Sequence, residues 1–137
     1  MNFFVRFVYF AVISATSVLS AEESHPIDLA MEKAMEKDSS TAGMIRAAQE
    51  ALVKWEGLVD DRLGSLQQIM SPEEFTALKA SQKSWKLFYR LETEAQGEIY
   101  KRMEGTMWRP ASVMQAMELI KQRALTLSAY VDTISER

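Results

Sequence analysis

Apolar residues return at three- and four-residue steps through most of the chain, and this pattern predicts helix after helix. The heaviest stretch runs from Ser71 to Met103. Its start can be read residue by residue. Ser71 caps with its hydroxyl, Pro72 occupies the first turn where no amide hydrogen is needed, and Glu74 can close a capping box. Glu73 and Glu74 also lie at the positive end of the helix dipole. Phe75, Leu78, Trp85, Phe88, Tyr89, Ile99 and Met103 then recur with no proline before Pro110, which predicts one long amphipathic helix ending near Glu104-Gly105. Its apolar side is wide enough to need partners on more than one flank, so the other helices are expected to pack around it.

Upstream, Ile27, Ala30, Met31, Ala34 and Met35 predict a short helix from Ile27 to Lys37, too short to hold without docking. The run Asp38-Ser39-Ser40-Thr41 favours turns and caps, and separates it from the next element. From Thr41 to Met70 a second long helix is expected, with Ile45, Ala48, Leu52, Trp55, Val59, Leu63, Leu66 and Met70 as its buried stripe. Gly57 and Gly64 each weaken that helix by up to ~1 kcal/mol relative to alanine, and suggest close approach by a neighbour. The short link at Met70 to Pro72 implies an antiparallel hairpin. After a loop over Thr106 to Pro110, a last helix carries Val113, Met117, Ile120, Ala124, Leu127, Val131 and Ile134 in a regular heptad stripe. The expected fold is all-α: an antiparallel bundle of three long helices plus a short N-terminal one.

Composition narrows the setting. The chain has 137 residues, enough for one modest core, and five glycines with three prolines are too few for a turn-rich β fold. Residues 1–21 pair a weakly positive start with an apolar run from Phe7 to Leu19 and small residues at Ser20-Ala21, the pattern of a cleaved secretory signal peptide. Residues 22–40 then form a leader with the short helix, and 41–137 the helical domain. Cleavage removes one of the 16 basic residues, Arg6, and none of the 19 acidic ones, leaving a net charge of about −4. With no basic stripe, nucleic acid is not the expected partner. An exported chain without cysteine must hold itself by helix packing alone.

Candidate chemistry is sparse. The single histidine, His25, is expected at the surface of the leader, so zinc, haem and di-iron ligand sets are all missing. Glu56 and Asp60 share a helix face but read as solvated surface. The methionines read as gap fillers rather than Cu(I) ligands. No cofactor is expected, and no enzyme activity. Gln82 and Glu92 fall where the heptad phase would bury them, which calls for polar partners such as Arg62 or Arg123. In the last loop Trp108 stands beside Arg109, a pairing enriched at binding hot spots; the alternative is that Trp108 folds back over the bundle end.

The segment Ser81-Gln82-Lys83-Ser84-Trp85-Lys86-Leu87-Phe88-Tyr89-Arg90 resembles the Ala-Gln-x-x-Trp-x-x-Tyr-Arg signature of the LprI-like lysozyme inhibitor family, small secreted or periplasmic helical domains. Thr41-Ala42-Gly43-Met44 is similar to the start of that family's first long helix. Gly105-Thr106-Met107 is similar to its Gly-Ser-Met loop, and Arg123 with Leu127 to its closing Arg-x-x-x-Leu. The cysteines usual in the family would align near Ala47, Thr93 and Ala116 and are absent, as in a divergent, disulfide-free member. The resemblance implies a non-enzymatic periplasmic protein that binds another protein, with a cationic lysozyme as the specific partner. Trp108, Arg109 and Glu104 are then the expected contact residues. The rival readings are an envelope small-molecule or metal-binding bundle, and a structural or assembly module working through a helix face.

Overall fold

The computed structural model describes residues 24–136, so the expected signal peptide lies outside the described residues. Four helices follow in order: α1 (Pro26–Lys37), α2 (Thr41–Ile69), α3 (Pro72–Tyr100) and α4 (Trp108–Ser135). No strand occurs among the described residues.

Local signals set the helix starts. At α3 the capping box forms in full: Glu74 N–H donates to Ser71 Oγ at 3.2 Å, and Ser71 N–H donates to Glu74 Oε2 at 2.9 Å. Ser40 caps α2 by accepting from the Gly43 amide at 3.0 Å. Before it, Asp38 Oδ1 accepts from both the amide and the hydroxyl of Ser40, while Arg46 reaches back to Oδ2. Those hydrogen bonds from Ser40, with the charge of Arg46 beside them, hold the Asp38 carboxyl below its ordinary pKa. Gly43 is needed at the start of α2. A Cβ there would fall on the Asp38 carbonyl and carboxylate.

The packing centre differs from the one the sequence suggests. The extensive helix contact is between α2 and α4, and α1 lies against α2. Trp55 and Leu66 of α2 and Ala124 and Leu127 of α4 are fully enclosed, with Met117 and Ile120 beside them. Each large aliphatic side chain so placed contributes roughly 1.5–3 kcal/mol. By contrast α3 buries only Leu78 and Gln82. Phe75, Trp85 and Tyr89 are half-buried, whereas Phe88, Ile99 and Met103 stand in solvent. The second flank of α3 has no partner helix among the described residues, so α3 is a side element and not the hub.

The buried surface of α2 is broader than its expected stripe, adding Gly43, Ala47 and Ala51 because α1 covers a second side. Gly57 and Gly64 admit no neighbour: both are exposed, and a Cβ at either would meet nothing within 4 Å. His25 belongs to the fold rather than to a solvated leader. Its Nδ1 accepts from the Ile27 amide at 3.2 Å, and its ring lies 4.4 Å from that of Trp55. Lys121 completes this junction of α1, α2 and α4, pairing with Asp28 at 2.8 Å and sitting 5.9 Å above the Trp55 ring.

Two pairings fix how α4 lies on α2. Lys121 stands over Trp55, and Arg62 Nε donates to Ser128 Oγ at 3.1 Å. Both partners are offset by 66 residues, so α2 and α4 advance together. On α3, Gln82 meets Arg123, whereas Leu78, with Met70 at the end of α2, shares a cleft with Tyr130 and Ile134.

Candidate functional site

α3 ends at Tyr100, earlier than the Glu104-Gly105 stop expected from sequence, and residues 101–107 make the turn into α4. Gly105 takes φ +90°, a left-handed conformation that suits glycine. The turn leaves apolar side chains in water: Ile99 is 63% exposed, Met103 54% and Met107 61%. Trp108 is not in the loop; it opens α4 and is half-buried, while Pro110 behind it is fully enclosed. The Arg109 guanidinium lies 5.3 Å from the centre of the Trp108 ring, within cation–π range. Glu104 is exposed and forms no hydrogen bond or ion pair with either residue. The structure thus joins Trp108 to Arg109 and leaves Glu104 as a separate charge on the same turn.

The signature segment of α3 makes a different kind of site. Gln82, Trp85 and Tyr89 lie at three- and four-residue steps, so they share the inward face of the helix. Arg123 Nε donates to Gln82 Oε1 at 2.8 Å, and its guanidinium lies 5.9 Å from the Trp85 ring, which stacks on Tyr89 at 5.5 Å. Of the two arginines that the heptad phase suggests for Gln82, Arg123 is the partner; Arg62 goes to Ser128. Glu92 joins neither: it is half-exposed and accepts from Gln96 at 3.4 Å. Arg123 is only 9% exposed, and burial lowers its pKa below the ordinary arginine value. No carboxylate pairs with it among the described residues. The Gln82 Nε2 atom is buried without a partner, so this network is not fully satisfied.

Next to the network a cleft of about 250 Å³ opens between α2 and α3. Glu56 and Asp60 of α2, Trp85, Lys86 and Tyr89 of α3, and Ile120 of α4 line it. Burial, and secondarily the Glu56 charge, push the Tyr89 phenol above its ordinary pKa. Sequence reasoning takes Glu56 and Asp60 as solvated surface, and exposed they are. Their place on a cleft wall depends on how α3 lies beside α2, for which no local signal exists. Among the described residues no three His, Cys, Asp or Glu side chains gather closely enough to hold a metal ion.

A family model described as lysozyme inhibitor LprI matches residues 32–127, from the middle of α1 to Leu127 of α4. The crystal structure of an uncharacterised protein from Burkholderia thailandensis is similar to this chain, with a TM-score of 0.74 at 30% sequence identity. The likeness covers 82% of this chain and 56% of that one, so this chain spans little more than half the length of that protein. A search of curated proteins finds no match.

Proposed function

This chain belongs to the LprI lysozyme inhibitor family, and we propose that it is a non-enzymatic periplasmic module that binds and blocks a cationic lysozyme. The signal-like residues 1–21 support export, and no described helix is long and apolar enough to cross a membrane. In this reading α3 runs antiparallel to the α2–α4 pair, and the bundle serves as a rigid post that presents the α3–α4 turn.

The observation that carries the reading is the exposed apolar group Met103 and Met107 beside the Trp108–Arg109 pair. Flexible thioethers adapt to a partner surface, and Trp with Arg supplies the anchor typical of binding hot spots. The mechanism is occlusion. Trp108 and Arg109 seat in the enzyme's cleft, and Glu104 meets a cationic group at its rim. The turn itself is not acidic, because Lys101, Arg102 and Arg109 surround Glu104. Steering is therefore assigned to α2, whose Glu50, Glu56, Asp60 and Asp61 are exposed, and to the net charge of about −4 that remains once residues 1–21 are removed.

The test is a cell-wall lysis assay with lysozymes of several classes. At least one class should be inhibited, the inhibition should weaken as salt is added, and Trp108→Ala should abolish it. Full lysis by every class in the presence of excess protein would sink the reading. A second reading, a small-molecule binder, rests on the Trp85–Tyr89 cleft. It predicts that a ligand raises the melting temperature and that Tyr89→Ala removes the rise.

A further inference from the structure

One face of α3 is apolar, exposed and periodic. Leu87 and Phe88 are each 49% exposed and Leu91 50%, and Ala80, Ser84 and Ala95 lie on the same side of the helix, also exposed. The steps between these positions are threes and fours, the spacing of a helix–helix seam. No element of the described chain covers this face: α4 packs against the side bearing Leu78 and Gln82, more than 90° around the helix by its 3.6-residue period.

We propose that a second copy of this chain covers it, the two α3 helices pairing antiparallel about a two-fold axis between Leu87 and Phe88. That axis sets Ser84 opposite Leu91 of the second copy and Ala80 opposite Ala95. Leu87 and Phe88 thus meet at the axis, Leu91 packs over the small Ser84, and the alanines further out let the helices approach closely. Charge is complementary in the same register. Glu73 comes opposite Arg102, which lies two residues past the end of α3, and two-fold symmetry repeats the pair. Glu73 and Arg102 are exposed, and neither side chain makes a hydrogen bond or ion pair among the described residues. A parallel pairing in register would instead set Glu73 against Glu73 and Arg102 against Arg102. The antiparallel dimer leaves its two α3–α4 turns at opposite ends. The inference does not rest on the lysozyme reading.

A face one helix wide falls at the low end of specific interfaces, ~1,200 Å² in total, so the dimer is expected in the micromolar range. Sedimentation equilibrium on protein purified from expression of the full chain tests this, with circular dichroism to confirm that every variant folds. Leu91→Glu should weaken dimerisation at least ~10-fold, since its effect is felt twice. Glu73→Arg and Arg102→Glu should each weaken it by roughly 3- to 10-fold, and the two together should restore it. A chain that stays monomeric up to ~0.5 mM overturns the proposal, that being far above micromolar affinity. So does a dimer indifferent to Leu91→Glu, or one that the combined charge swap fails to rescue.

Discussion

The bond between Arg123 and Gln82 joins α4 to α3, and its removal has a calculable cost. Arg123 is 9% exposed, Gln82 7%, and their 2.8 Å contact is the one short hydrogen bond the guanidinium makes among the described residues; Ser81 Oγ is 3.5 Å away. A hydrogen bond to a charged group contributes about 1.5–3 kcal/mol, and losing it in Gln82→Leu also strands a buried cation. We expect that variant to lose ~2–3 kcal/mol, which for a domain of this size lowers Tm by roughly 6–12 °C. Arg123→Met loses the same bond and leaves both polar atoms of Gln82 unpartnered, so ~1–2 kcal/mol is expected. The double variant removes the stranded cation and the orphaned amide together. It should fall within ~1 kcal/mol of the parent, a coupling of about 2 kcal/mol or more. Urea unfolding followed by circular dichroism gives all four free energies. A double variant whose loss equals the sum of the singles would refute the reasoning, because the pair would then not act as a unit.

Three further outcomes follow from the geometry. His25→Ala removes both the cap of α1 and the ring that lies on Trp55, and should cost ~1–2 kcal/mol, with a red shift in tryptophan emission as Trp55 meets water. Gly43→Ala forces a Cβ onto the Asp38 carbonyl, so the α1–α2 turn must open; a loss of ~1–3 kcal/mol in thermal unfolding is expected. Because the folded pKa of Tyr89 is raised, the neutral phenol stabilises the fold fully below the ordinary value of about 10 and that contribution is lost as pH rises through the folded pKa. Tyr89→Phe should therefore show a shallower fall of Tm than the parent above pH ~10, and parallel profiles would contradict the assignment.

The parts of this fold written in short-range chemistry are the parts that can be read without a structure. Ser71 and Glu74 close their box and Ser40 caps α2, because each depends on residues three positions away. Gln82 is legible for a related reason: a polar residue in the phase of a buried stripe must find a partner, and few long cations are in reach. The role of α3 is not legible. Phe88, Leu91 and Ile99 have the periodicity of a core, and periodicity records apolar residues without saying which body covers them. His25 is hidden for another reason, since its partner Trp55 lies thirty positions away and is joined to it only by tertiary packing. Of the three contact residues, Trp108 and Arg109 do meet at the start of α4. Their role in binding is a matter for experiment.

The most direct such experiment is hydrogen exchange on the complex with an inhibited lysozyme. Slowed exchange concentrated in residues 101–112, and absent in Trp108→Ala, is the predicted result. Protection that leaves this turn as fast as in the free protein, with binding intact, would contradict the account.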